Sequence, residues 1–227
     1  MKAFAKFKQW ERNLRLETEY DLSDPAQRKR AMTHYHWLDH AILRYHWHNF
    51  FEIAPGVYRS NQPTHDRFVK YAAMGIKTVL NLRGSANHAR YLFEKESCDA
   101  LGLTLINLPL QARKAPPAQN LLDLIDAFRA AERPMMMHCK SGADRAGLAS
   151  TIYLMVIEGE PVEKARRMLS PRYIHFKWTK TGVLDHLLDR YAAANAAAPI
   201  AFQDWVATQY DPAQIQAEFN ARRKGGK

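Results

Sequence analysis

Three short apolar runs, "IKTVLNL" (76–82), "LTLINLPL" (103–110) and "PMMMHC" (134–139), are separated by helical segments at roughly 86–101 and 118–131. Runs of this kind suit buried strands, and strands alternating with helices imply a mainly parallel sheet covered on both faces. The expected fold is therefore α/β, a mainly parallel central sheet flanked by helices. Ahead of these runs, "EIAPGVYRS" (52–60) has strand character after a turn at Pro55-Gly56, and "THDRFVKYAAMG" reads as a helix with Thr64 as N-cap and Gly75 as its stop. After Cys139 the pattern turns helical, with "RAGLASTIYLMVIEG", "PVEKARRMLS" and "TGVLDHLLDRYAAANA".

A chain of 227 residues fits one ordinary domain with extensions. The strand and helix pattern occupies 52–192. Residues 1–51 read as a basic, aromatic, helical extension. Residues 193–227, opening on the Ala-rich "YAAANAAAP", read as a loosely attached C-terminal extension, helical or flexible and basic. Cys98 and Cys139, the two cysteines, lie 41 positions apart, which matches neither a disulfide framework nor zinc-ligand spacing and fits a reducing compartment. The uncharged stretches are too short to span a bilayer, so the expected location is cytoplasmic.

Lys and Arg number 33 against 23 Asp and Glu, a formal net charge of +10, which favours anionic partners. Six of the cations fall between Lys164 and Leu184, where there is no acid. No nucleic-acid-binding module is recognisable, and the cations are not organised around an aromatic platform. Nucleic acid is therefore not the expected partner, although a basic nucleic-acid-binding protein remains one function class to test.

The stretch "MMMHCKSGADRAGLASTIYLM" (135–155) reads as strand, loop and helix, with the loop running from Cys139 to Arg145. In open α/β sheets ligands bind beyond the carboxyl ends of the strands, where this loop would lie. Gly142 lets the backbone curl so that the N–H groups of Lys140, Ser141, Gly142 and Ala143 turn inward as an anion-binding nest, reinforced by the N-terminus of the following helix. The same positive field favours a thiolate at Cys139. Arg145 supplies a planar fork for two phosphate oxygens.

Cys-x5-Arg, preceded by His138 and carrying a central Gly, is the signature of cysteine-dependent phosphatases, and "HCKSGADRAG" resembles it closely. The chain is identified as a member of the protein tyrosine phosphatase superfamily, nearest to the compact dual-specificity group. "GVYRSNQP" and "GIKTVLNLRG" look like the opening and second strands of small bacterial dual-specificity-like phosphatases. The resemblance implies in-line attack by Cys139 on a phosphate monoester, a cysteinyl-phosphate intermediate and its hydrolysis by water, with no metal and no cofactor. It implies that His138 orients the loop. Two positions depart from the family pattern. The Ser or Thr that usually follows the Arg is Ala146, and "NLPLQARKAPPAQN", which matches the loop that usually holds the general-acid Asp, has no carboxylate.

Asp144 is better placed than Asp123 or Asp126, because myotubularin-like lipid phosphatases resemble this arrangement, with an Asp just before the signature Arg as proton donor. Asp144 is the candidate general acid, with bracing of the loop backbone as its other reading. Lys140 adds charge to the loop, as "CK" does in some phosphoinositide phosphatases of the superfamily. Arg59, Arg83 and Arg113 are candidates for the phosphate pocket or for surface ion pairs. The expected substrate is a phosphorylated protein, lipid or inositol, and the other reading of the loop is a non-catalytic phosphate reader. "HYHWLDHAILRYHWHNFFE" (34–52) reads as an amphipathic packing helix rather than a metal site despite the spacing of His36 and His40. Phe4, Phe7, Trp10 and Leu14 fall near one helical face among lysines, a pattern for peripheral contact with the anionic inner membrane face or for docking on the protein's own core.

Overall fold

In the computed structural model, which describes residues 19–85 and 87–225, the apolar runs form a five-stranded sheet. Its strands are β1 (Phe51–Ala54), β2 (Val57–Asn61), β3 (Thr78–Asn81), β4 (Thr104–Asn107) and β5 (Met135–Cys139), in spatial order β1-β2-β5-β3-β4. The turn at Pro55-Gly56 closes an antiparallel hairpin of β1 and β2, and the other three pairings are parallel. β5, whose last residue is Cys139, is therefore central, with β2 on one side and β3 on the other. A strand so placed opens its carboxyl end into the crevice that α/β sheets use for ligands.

The helices are α1 (Pro25–Thr33), α2 (Ala41–Arg44), α3 (His65–Ala73), α4 (Ala89–Leu101), α5 (Ala118–Ala130), α6 (Asp144–Val156), α7 (Val162–Ala165), α8 (Val183–Ala197), α9 (Phe202–Thr208) and α10 (Pro212–Gly225). Side chains alternate faces along a strand. Met135, Met137 and Cys139 thus enter the larger core, under α5, α6, α8, α9 and α10, while Met136 enters the smaller one under α3 and α4. Each fully buried Met, Leu or Ile there contributes roughly 1.5–3 kcal/mol relative to exposure. α6 is buried from Ala146 to Leu154, with Leu148, Ile152 and Tyr153 fully buried and the hydroxyls of Ser150 and Thr151 turned onto the Ala146 and Gly147 carbonyls. Gly147 lets it approach the turn after α7, because a Cβ there would lie 2.7 Å from Leu169 Cδ2 and 2.9 Å from the Met168 carbonyl.

Two expectations need correction. Residues 34–52 are not one packing helix. A π-helical turn, His34–Leu38, ends at Asp39, His40 takes a left-handed φ of 57°, and only the short α2 follows before β1. The cause is electrostatic and long-range. The chain bends back so that Arg44 donates to the Asp39 carbonyl at 2.9 Å and carboxylate at 2.8 Å, while Arg83, 44 residues away, grips the same carboxylate at 2.5 Å. Nor is the C-terminal segment loosely attached. Phe202, Trp205, Val206, Ile215 and Phe219 are all buried in the larger core, and Tyr210 donates to the Pro116 carbonyl at 2.7 Å. Phe4, Phe7, Trp10 and Leu14 lie outside the described residues. No helix among the described residues is long and apolar enough to cross a membrane.

Candidate active site

Cys139 is 2% exposed at the end of β5, and the loop that follows carries the chain into α6. Each of the four loop carbonyls is held by a donor from the surrounding scaffold. The Gln62 N–H donates to Lys140 O at 3.4 Å and Asn49 Nδ2 to Ser141 O at 3.2 Å. Arg59 Nη2 donates to Gly142 O at 2.6 Å and to Ala143 O at 3.2 Å. In a trans peptide the N–H points opposite to the C=O. Tying the carbonyls of 140–143 outward therefore turns the amides of 141–144 the other way, as a cradle for an anion. Gly142 has φ of 69°, and a Cβ there would come within 2.6 Å of the Asn61 nitrogen, so no other residue fits this curl against β2.

Arg59 is fully buried, and neither a pocket-lining nor a surface-pair role describes it. Besides the two loop carbonyls it donates to Met168 O at 2.7 Å and stacks on Tyr173 with its guanidinium carbon 3.9 Å from the ring centroid. Burial lowers it to about 10, with Tyr173, Cys139 and Asp144 acting to keep it charged. His138, also fully buried, bonds through Nε2 to Glu94. Glu94 in turn accepts from Gln62 at 2.6 Å, and Gln62 accepts from Arg83, which pairs with Asp39. A buried polar chain thus runs from the residue before Cys139 to the cluster of Asp39 with Arg44, Arg83 and Lys140. Burial opposes the charge on Asp39, but the hydrogen bond and charge of Arg83, helped by Arg44 and Lys140, hold its carboxyl far below the usual range.

The cleft beside the loop, about 640 Å³, is bordered by Lys140, Ser141, Asp144 and Arg145, with Trp47 and Arg113 on its rim. Among the described residues Arg145 makes a single long hydrogen bond, Nη1 to the Leu82 carbonyl at 3.5 Å, and its buried Nε has no partner. The guanidinium is held in place with most of its donor capacity unused. Asp144 is not free in the same sense. Its Oδ1 lies 2.8 Å from His175 Nδ1, and His175 Nε2 lies 2.7 Å from Asp185 Oδ2. Burial disfavours the charged imidazole, yet the two carboxylates outweigh it and raise His175 to about 9. A larger cavity, about 870 Å³, is walled by His175 and Asp185 together with Arg166, Arg172 and Lys177, and the loop does not border it.

Residues 111–114 border the cleft without any carboxylate, and Asp123 and Asp126 lie exposed on α5, bonded to Gln119 and Arg129. Cys98 sits in the smaller core, on the other face of the sheet from Cys139, where burial pushes its thiol up. Asp39, Asn49, Gln62, Glu94, His175 and Asp185 were not expected at the site from sequence. Gln62 falls in "GVYRSNQP", Asp39 and Asn49 in the 34–52 segment and Asp185 in "TGVLDHLLDRYAAANA", but nothing local marks them as partners of the loop.

A family model described as DSP-PTPase phosphatase fused to NAD+ kinase matches residues 52–181, more than half of the chain. The chain belongs to this DSP-PTPase family. The dual specificity protein phosphatase TpbA of Pseudomonas aeruginosa is 28% identical to it over 113 residues, 49% of this chain and 48% of TpbA. The DSP-PTPase chain thus spans about half the length of the curated relatives it matches. In structure it superposes on crystalline TpbA with a TM-score of 0.52 at 21% identity, covering 66% of this chain and 91% of that one. A TpbA cysteine-to-serine variant in complex with phosphotyrosine gives a TM-score of 0.51 at 20% identity, over 65% and 90% of the two chains. These likenesses show the shared fold.

Proposed function

We propose that the protein is a cysteine-dependent phosphatase of phosphate monoesters. The observation that carries this reading is the loop itself, with four carbonyls tied outward and an underused Arg145 beside it. Phosphate oxygens accept from the inward amides and from the Arg145 fork, which spreads charge as the phosphoryl group transfers. The Cys139 thiolate attacks phosphorus in line, the P–O bond to the leaving group breaks, and a cysteinyl phosphate forms that water then hydrolyses. Asp144 protonates the leaving oxygen. His138, fixed by Glu94, orients the strand end that presents the thiol. Ala146, which is fully buried, offers no hydroxyl to help the thiolate leave, so breakdown of the intermediate is the slower half of the cycle.

The complex of the TpbA variant with phosphotyrosine supports a phosphorylated protein as substrate, and the cations on the cleft rim also suit a phosphorylated lipid or inositol. Purified protein assayed on p-nitrophenyl phosphate, phosphotyrosine peptides and phosphoinositides separates these. Cys139→Ser lowers every such activity by at least about 10³-fold while retaining binding of a phosphate analogue. Activity that survives this change overturns the mechanism. Binding without turnover in the unmodified protein makes the loop a phosphate reader instead.

A further inference from the structure

Asp144 and Asp185 flank His175 from different elements, the first turn of α6 and the first turn of α8. Asp144 borders the catalytic cleft, Asp185 borders the second cavity, and His175 spans the space between them at 1% exposure. The backbone is forced into shape to achieve this. Ile174, a β-branched residue, takes a left-handed φ of 65° immediately before His175. Such a conformation is strained for a β-branched residue and persists where the surroundings over-determine it. Gly182 completes the packing, since a Cβ there would overlap the Lys177 carbonyl at 1.8 Å.

We propose that Asp144, His175 and Asp185 form a proton relay, in which His175 stores the proton that Asp144 delivers to the leaving group and Asp185 opens the store to the second cavity. This rests on the phosphatase reading above. A carboxylate that must act as an acid near neutral pH needs a source of protons. His40, Lys114 and Lys140 also line the cleft, but among the described residues none of them is bonded to Asp144 to supply one. The doubly protonated imidazole supplies it, because both of its nitrogens then donate to carboxylates. In the first step the Nδ1 proton of His175 passes to Asp144, and the carboxylic acid so formed protonates the leaving oxygen as the P–O bond breaks and the S–P bond forms. His175 is left neutral, with its remaining proton on Nε2 toward Asp185. In the second step water forms the new P–O bond, the S–P bond breaks to return the thiolate, and the water's proton passes to Asp144 and back to His175. Other charged groups acting on the relay include Arg59, felt by Asp144, and Arg166, felt by Asp185; Lys140 and Arg145 share the cleft with Asp144, and Glu163, Arg167, Arg172, Lys177 and Asp189 line the second cavity. His175 and Asp185 are positioning residues, since neither borders the cleft.

The test compares kcat–pH profiles of the full chain and its His175→Asn variant, using p-nitrophenyl phosphate and an alkyl phosphate whose leaving oxygen requires protonation. Asn retains a donor for Asp144 but stores no proton. The unmodified protein is expected to hold its alkyl phosphate rate up to pH about 9, the range in which His175 titrates. In His175→Asn that limb moves toward the ordinary carboxylate range and the alkyl rate at pH 7 falls by roughly 10²-fold or more, while the aryl rate falls far less. Equal losses on both substrates with an unmoved limb would reduce His175 to a structural brace and overturn the relay. Nitrogen-15 NMR of His175 in the unmodified chain needs no variant to fold: an imidazole neutral at pH 7 also overturns the relay. Hydrolysis that survives Cys139→Ser would instead sink the phosphatase reading. Hydrolysis that requires Cys139 and Asp144 but ignores His175→Asn sinks the relay alone.

Discussion

The two flanks of the loop are built on opposite electrostatic plans. On one side a single buried carboxylate, Asp39, sits among Arg44, Arg83 and Lys140. On the other a single imidazole, His175, sits between Asp144 and Asp185. Arginines stay charged over any accessible pH, so the Asp39 cluster is permanently set and serves as scaffold. Histidine changes charge within a range the protein meets, so the His175 cluster responds to its surroundings. Permanent charge and titratable charge thus stand at the two ends of the loop, beside Lys140 and beside Asp144.

The largest effect is expected from Asp39→Ala. Removing the common partner of two buried arginines leaves Arg44 and Arg83, at 3% and 8% side-chain exposure, without their carboxylate. Breaking a buried pair in this way costs about 3–5 kcal/mol, and the polar chain through Gln62 and Glu94 to His138 loses its anchor at the same time. Urea unfolding measures it. A loss below about 1 kcal/mol would place the cluster with ordinary surface pairs and erase the contrast between the flanks.

The pH dependence of stability sharpens the same contrast. His175 is raised from 6.5 to about 9, so its contribution is fully present below pH 6.5 and is lost as pH rises through 9. A shift of that size corresponds to on the order of 3 kcal/mol. The Asp39 carboxyl is depressed, so its contribution is present above pH 3.8 and is lost only as pH falls far below that. Melting temperatures between pH 6.5 and 9 should therefore decline in the unmodified protein and become flatter in His175→Asn, whereas Asp39→Ala should keep the decline. An unmodified protein whose stability is level over that interval would remove the difference in kind between the two clusters.

Most of the sheet and the loop were legible because their signals are local. Three apolar runs marked β3, β4 and β5, and Cys139, Gly142 and Arg145 fall within seven consecutive positions of one strand–loop–helix unit. What failed was decided at a distance. Residues 34–52 have helical periodicity, yet an ion pair with Arg83 bends the chain at Asp39. The aromatic residues of α9 and α10 are spread over short helices with turns between them, so their common burial against α5 and α8 is visible only in three dimensions. His175 lay inside a run notable for its cations, and its carboxylate partners are 31 and 10 residues away. Arg59 reads as one more arginine until the topology brings Gly142 and Ala143, more than 80 residues later, onto its guanidinium.

Lys140 gives the smallest effect and the finest test of the division of labour. It belongs to the Asp39 cluster by charge, but its Nζ stands 3.7 Å from Asp39 Oδ1 with 39% of the side chain exposed, while Arg44 and Arg83 already satisfy that carboxylate at shorter range. Its ion pair is therefore redundant, and Lys140→Ala should change stability by no more than about 1 kcal/mol. Lys140 also borders the cleft, where its charge adds to that of Arg145. The loss should then appear in substrate capture: KM for p-nitrophenyl phosphate rises several-fold and becomes less sensitive to salt, with kcat nearly unchanged, since a point charge at the rim attracts ground state and transition state alike. A double-mutant cycle with Asp39→Asn separates the two roles. Coupling well above 1 kcal/mol in unfolding would make Lys140 part of the scaffold, whereas a KM effect that persists in both backgrounds assigns it to the anion.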